Sequence, residues 1–121
     1  MTHADELRGA LEAVERILNR GGEADEVLRE VTAALHDRAG YVWAAIRFVE
    51  SDELALGPSA GVEPDAARSL PVEYRGREIA RLEVAPPAAD RDEDAFLQRV
   101  ATLVSPYCLV GWDTHGERWD P

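Results

Sequence analysis

Residues 70–84 read LPVEYRGREIARLEV. Apolar and polar side chains alternate on each side of a turn at residues 74–77, which is the pattern of strands with one buried face. Gly76 suits the turn because glycine tolerates positive φ. The stretch therefore predicts a β-hairpin. Its alternating apolar residues are Leu70, Val72, Tyr74, Ala80, Leu82 and Val84.

A second pair of strands is predicted upstream of this hairpin. Residues 41–49 are aromatic, β-branched or small with a single charge, which is typical of a central strand covered on both faces. A turn at Ser51-Asp52 leads to a short strand that carries Leu54 and Leu56. Glycine and proline predict a loop over residues 57–61, and residues 63–68 have room for one or two helical turns at most.

Two helices are predicted before the strands and one after them. The first carries an apolar stripe at helical spacing and ends at Gly21-Gly22, and the second runs over residues 24–38 to Gly40. The last begins after a cap at Asp90 or Asp92, and Pro106 predicts a kink or an early end near Val104 or Ser105.

The element order is therefore α, α, β, β, loop, β, β, α. Short turns between strands predict an antiparallel sheet, and three amphipathic helices need a sheet face on which to bury their stripes. We expect an α+β fold of two layers, with an antiparallel β-sheet and the helices packed on one face.

The composition excludes several classes of protein. The chain has 121 residues and a formal net charge of -11, which repels nucleic-acid backbones. No apolar run approaches the ~20 residues that span a bilayer, and the N-terminus lacks the features of a signal peptide. We expect one cytoplasmic domain that binds neither nucleic acid nor membrane.

Several segments together resemble a GAF domain, the small sensory module of signalling proteins. Residues 26–49 match its helix and first strand, residues 70–84 its "pi…g…iGvl.v" hairpin, and residues 92–103 its terminal "d..fL..lA" helix. The resemblance covers residues 24–109 and implies a GAF/PAS-like fold. We therefore expect an N-terminal helix over residues 1–22 that serves in dimerisation, a GAF-like domain over residues 23–111 and a C-terminal tail over residues 112–121.

The departures from that family bear on function. Ligand-binding GAF domains cover their ligand with a long segment before the hairpin, whereas only residues 58–69 stand there. The Asn-Lys-x-Asp motif of nucleotide-binding members is impossible because the chain has no lysine, and a cysteine that attaches a bilin would be expected in the missing segment. The related free methionine sulfoxide reductases need at least two cysteines, and this chain has one.

These departures predict a sensory or protein-interaction module in cytoplasmic signalling that is not an enzyme and has no catalytic residue or cofactor. The alternative is a small-molecule-binding sensor with a reduced pocket. The residues expected to line that pocket are Trp43, Ala45, Leu70 and Tyr74. Aromatic residues at such positions more often fill the core.

Other candidate groups favour structural roles. Cys108 has no second cysteine and is expected to be a buried apolar residue. Asp90, Asp92 and Asp94 suit a helix start better than a calcium loop, which would need Gly and Glu at places held by alanine. No metal site is expected. The histidines are scattered, at His3, His36 and His115, and neither Ser59 nor Ser69 lies in a Gly-x-Ser-x-Gly elbow.

A homodimer is expected, with a signalling protein as a further possible partner. In GAF proteins the terminal helices commonly pack against a second subunit, and the first helix here offers a suitable stripe. The expected interface combines the last helix with Leu7, Leu11, Val14 and Leu18.

Overall fold

The computed structural model describes residues 3–51, 53–87 and 90–113, with side chains described from residue 4 to residue 109. The predicted order of elements is confirmed. The elements are α1 (His3–Arg20), α2 (Ala24–Asp37), β1 (Trp43–Glu50), β2 (Glu53–Gly61), β3 (Arg68–Tyr74), β4 (Arg77–Ala85) and α3 (Arg91–Asp113).

The four strands form one antiparallel sheet in the order β2-β1-β4-β3. Ile46, Leu82 and Leu70 lie side by side across β1, β4 and β3, and all three are buried in the main core. The same core contains buried residues of α1, α2 and α3. All three helices therefore pack on one face of the sheet, which confirms the predicted two-layer α+β fold.

The helix α1 is part of this main core. Val14 is fully buried, and the Tyr107 hydroxyl of α3 donates a hydrogen bond to the Leu18 carbonyl over 3.3 Å. The division of the chain at residue 22 stays a prediction, and residues 114–121 of the predicted tail lie outside the described residues.

The predicted loop over residues 57–61 is wrong, because β2 continues through it to Gly61. The register of β1 and β2 shifts between Ala45 and Arg47, opposite Gly57-Pro58. A bulge at the edge of a sheet accommodates a proline, which has no N–H to donate. Residues 62–67, which follow, are irregular rather than helical.

The predicted kink or end of α3 before Pro106 is also wrong, since the helix runs on to Asp113. Pro106 has no N–H for the carbonyl of Thr102, four residues earlier. The Ser105 hydroxyl donates to that carbonyl over 3.1 Å instead. A side-chain bond thus satisfies the acceptor that the proline leaves open.

Within the described residues, no helix combines the length and apolar character that crossing a membrane requires.

Candidate functional site

The sheet face opposite the helices is the candidate functional site. Trp43, Ala45 and Ala85 form a small apolar cluster there, separate from the main core, and Ala67 packs against it. Residues 62–67, which we call the covering segment, connect the end of β2 to the start of β3 and include Ala67. Trp43 and Ala45 are 4% and 0% exposed, so this packing covers them. A short segment is enough because the cluster is small.

Gly61 directs the covering segment over this face. Its φ is +96°, and a Cβ there would lie 2.0 Å from the carbonyl oxygen of Val42. The next residue, Val62, donates its backbone N–H to that same oxygen over 3.0 Å. Only glycine tolerates both this conformation and this approach, so the sequence fixes the path of the chain at this point.

A hydrogen-bonded ion cluster lies beside the apolar cluster. Arg47 donates from Nε to Oε2 of Glu83 and from Nη2 to Oε2 of Glu63, both over 2.8 Å. The other Glu83 oxygen accepts the indole N–H of Trp43 over 3.3 Å. The hydrogen bond to Glu83 is the main reason that the pKa of Arg47 is raised, and it outweighs the lowering effect of burial. Arg47 therefore stays charged beneath the covering segment.

A second arginine stands next to the first. Arg81 of β4 is directly opposite Arg47 of β1, so the two side chains leave the same face of the sheet. Arg81 donates to the Ser69 hydroxyl over 2.6 Å and to Glu78 over 2.7 Å. Two guanidinium groups at neighbouring positions repel each other. The carboxylates of Glu83 and Glu63 on Arg47, and that of Glu78 on Arg81, offset this repulsion.

The structure does not bring the four predicted pocket residues together. Trp43 and Ala45 belong to the apolar cluster on the face opposite the helices. Leu70 is buried in the main core, and Tyr74 packs against that core from β3, with the Arg75 guanidinium 5.4 Å from its ring centroid. Leu70 and Tyr74 thus lie on the helix side, two strands away from β1.

Sequence reasoning missed the charged members of the site, Arg47, Glu63 and Glu83. The alternation of side chains along a strand could have identified Arg47. It follows Trp43 and Ala45 at intervals of two residues along β1, so all three side chains leave the same face of the sheet. The pairing of Arg47 with Glu63 depends on the covering segment, whose path no periodicity encodes.

The edge of the same face exposes leucines. Leu54 and Leu56 are opposite Val49 and Arg47 of β1, so they share the face of the ion cluster. They are 46% and 48% exposed. The outer strand β2 therefore presents apolar surface beside the ion cluster.

The residues predicted for a dimer interface face inward. Leu7 and Val14 are buried in the main core, and Leu11 and Leu18 are partly buried against it. Their stripe packs α1 against its own chain, and the predicted homodimer stays a prediction.

Cys108 is buried in the main core, as the sequence predicted. Burial raises the pKa of its thiol to about 12. The thiolate is the reactive form of cysteine, so little of this residue is reactive near neutral pH.

The remaining polar candidates have structural contacts. Asp90 accepts the backbone N–H of Glu93 over 2.8 Å, which caps α3, and Asp94 pairs with Arg68. The Nδ1 of His36 lies 2.6 Å from the Tyr41 carbonyl oxygen, to which it can only donate. The part of the chain that the structure describes contains no group of three or more metal-ligating side chains. His115 and the side chain of His3 lie outside that part.

Solved structures share this architecture. Free methionine-R-sulfoxide reductase from Neisseria meningitidis, in complex with its substrate, matches with a TM-score of 0.79 and 16% identity over 94% of this chain and 95% of that chain. The GAF domain of a phosphoenolpyruvate-protein phosphotransferase from Coxiella burnetii matches with a TM-score of 0.77 and 10% identity, over 94% and 99%. The nlh2 GAF domain of A. aeolicus, in an inactive state, matches with a TM-score of 0.74 and 11% identity, over 91% and 99%.

The fold is therefore GAF-like, as the resemblance implied. No protein-family model and no curated protein matches the sequence. At these identities the likeness concerns the fold.

The expectation that the chain is not an enzyme is corrected by these comparisons. Among the solved structures that match over nearly the whole chain is a reductase, and that reductase is an enzyme on this fold. The expectation rested on the single cysteine as well as on the shortened segment before the hairpin, yet this enzyme overlaps 94% of the chain. A short GAF-like chain is thus compatible with catalysis.

Proposed function

We propose that the protein is a GAF-like sensory module of cytoplasmic signalling, and that it binds a small molecule on the sheet face opposite the helices. The observation that carries this proposal is the separate cluster of Trp43, Ala45 and Ala85 beneath the covering segment. An apolar floor with a few converging polar groups is the usual make-up of a small-molecule site. Arg47 and Glu83 supply such groups at the edge of the floor.

The covering segment is the element that would move. Apart from Ala67 and Pro64, its side chains are exposed, and its contact with the ion cluster is the single pair of Arg47 and Glu63. Segments with few buried apolar contacts open at low free-energy cost. A ligand can therefore replace the segment on the Trp43 cluster without disturbing the main core.

The residue that leads into the covering segment also lies close to a helix. Gly61, the last residue of β2, approaches His36 near the end of α2 so closely that a Cβ on it would be 3.2 Å from the His36 Nδ1. His36 in turn bonds to the carbonyl of Tyr41, just before β1. Displacement of the segment at Gly61 would change this contact and so alter the packing of α2, which gives a physical route from ligand to helix.

The test uses Trp43 as a reporter. A variant with Trp112→Phe and Trp119→Phe leaves Trp43 as the single tryptophan. We expect a metabolite that binds on this face to shift its emission and to raise the melting temperature. The panel includes free methionine-R-sulfoxide, the compound class named for the similar reductases. An assay for methionine formation in the same samples shows whether binding is accompanied by catalysis.

The control is Ala45→Leu, which enlarges a fully buried side chain on the floor of the site, at the expense of the room that a ligand would take. It should abolish the response of any metabolite that acts there, while a ligand bound elsewhere would be unaffected. A panel that changes neither emission nor melting temperature would contradict the proposal.

A protein-interaction module is the second candidate. The exposed Leu54 and Leu56 of the outer strand β2 favour it, because clustered apolar side chains on a surface often mark a binding surface. Glu substitution of both leucines would abolish such an interaction, whereas small-molecule binding at Trp43 would persist.

A further inference from the structure

We infer that Glu63 is an internal competitor for Arg47, and that the ligand it competes with carries a carboxylate. The inference rests on the proposed function and adds the chemical class of the ligand and the way in which access is controlled. It begins from the unequal burial of the two carboxylates on Arg47. The Glu83 side chain is 16% exposed and the Glu63 side chain is 59% exposed.

The inner pair is fixed. Arg47 and Glu83 are both largely buried, and Glu83 also accepts the Trp43 indole N–H. Removing one partner would leave a charge without compensation in a partly dry environment, which is costly. Glu83 therefore holds the guanidinium in place at the edge of the Trp43 cluster.

The outer pair is exchangeable. Ion pairs with a solvent-exposed partner contribute little to stability, because water and salt screen them. Glu63 also lies in the irregular covering segment rather than in a strand or helix. The carboxylate of a small molecule can take its place on Nη2 of Arg47 with the same geometry and charge, so the exchange leaves the ion cluster balanced.

The donors of Arg47 favour an anion over a neutral ligand. Glu83 accepts from Nε of Arg47, and the neighbouring Arg81 bonds to Ser69 and Glu78, so Nη2 of Arg47 is the cationic donor that a ligand can take once Glu63 leaves it. Guanidinium groups match the planar, forked geometry of a carboxylate. The apolar Trp43 cluster lies directly beside them, which suits a carboxylate attached to an apolar group.

The test compares benzoate with benzamide, which has nearly the same shape and no charge. The readout is the nuclear magnetic resonance signal of the Arg47 Nε–Hε group, together with the backbone amides of the covering segment. Glu63→Gln removes the competitor, and Asp65→Asn, at an exposed position of the same segment, removes an equal charge. We expect benzoate to move these signals in both variants, and Glu63→Gln to bind it about twofold to fivefold more tightly than Asp65→Asn does.

Benzamide should move none of these signals. In Arg47→Gln, which lacks the Nε–Hε group, benzoate should no longer move the backbone amides of the covering segment. If Arg47→Gln does not fold, Arg47→Lys, which keeps the charge but loses the fork, should weaken the response of the same amides. Equal affinities in Glu63→Gln and Asp65→Asn would overturn the inference, as would no benzoate response in Glu63→Gln. Equal responses to benzoate and benzamide would also overturn it, while leaving the small-molecule site of the proposed function intact.

Discussion

Tyr41 donates its hydroxyl hydrogen to Oε2 of Glu93 over 2.5 Å, and this bond joins the chain before β1 to the first turn of α3. Burial, followed by this hydrogen bond, raises the pKa of the tyrosine well above its ordinary value of 10.0. Tyr41 is buried in the main core rather than in the Trp43 cluster, so the bond belongs to the stability of the fold rather than to the candidate site.

Tyr41→Phe should lower the free energy of unfolding by about 1.5 to 3 kcal/mol, because a hydrogen bond to a carboxylate is lost. Chemical denaturation of the variant at neutral pH measures this change. Tyr107→Phe is the matched control, since it removes a longer bond of 3.3 Å to the neutral carbonyl of Leu18. An equal loss in both variants would show that the charge on Glu93 adds nothing.

Gly61→Ala should destabilise the protein far more than Gly76→Ala. Both glycines have positive φ, +96° and +79°, so both substitutions carry the strain of a left-handed residue, about 1 to 2 kcal/mol. A Cβ at Gly76 meets nothing within 4 Å, whereas at Gly61 it would lie 2.0 Å from the Val42 carbonyl oxygen. Thermal denaturation should therefore separate the two variants, and similar melting temperatures would contradict the close approach at Gly61.

The fold could be predicted from the sequence wherever apolar side chains recur at the regular spacing of a strand or a helix. Alternation over residues 70–84 and the helical stripes were sufficient because each repeats over several turns or pleats. Prediction failed at Pro58 and Pro106, where local rules predict an interruption. A bulge opposite β1 and the Ser105 hydroxyl overcome these interruptions. Both depend on partners that propensity alone does not include.

The candidate site was predicted only in part. Of the four residues predicted to line one pocket, Trp43 and Ala45 lie together, whereas Leu70 and Tyr74 leave the opposite face of the sheet. Which face a strand presents depends on its register with the neighbouring strands. β3 does not pair with β1, because β4 lies between them. Which residues of β3 share a face with Trp43 therefore depends on the register of both strands with β4, and the sequences of β1 and β3 alone do not specify it.

Stability should fall steeply in alkaline solution because of Cys108. Burial raises the pKa of the thiol from 9.0 to about 12, so above the lower value the folded protein holds a proton that the unfolded chain has lost. The contribution is complete below the unfolded pKa and disappears as pH rises to the folded pKa. The slope reaches about 1.4 kcal/mol per pH unit for one proton.

Cys108→Ala should reduce this slope between the two pKa values, as measured by urea denaturation at a series of pH values. Iodoacetamide offers a second readout, since it should leave the folded protein unmodified at mildly alkaline pH and modify it completely in urea. Rapid alkylation of the folded protein would show that the thiol is accessible.

The predicted homodimer can use only the part of α1 that its own core leaves free. A groove of about 270 Å³ lies between the first halves of α1 and α3. Leu11, which is only partly buried, lines it with Phe96, and Arg8 and Asp92 also line it. Opposite charges beside an apolar groove suit a second copy of the same surface, since a twofold axis can place each charge against its complement. We expect sedimentation to show a dimer, and Leu11→Arg to dissociate it.

Val14→Ala distinguishes this interface from the core. Val14 is fully buried within its own chain, so its truncation should cost about 2 kcal/mol of stability at every protein concentration and leave the sedimentation coefficient unchanged. Leu11→Arg should do the reverse, with a small loss of stability and a loss of dimer, because the longer side chain can extend into solvent. Only monomer at high micromolar concentration would rule out the homodimer. A dimer that Val14→Ala dissociates and Leu11→Arg does not would mean that α1 leaves its own core to form the interface.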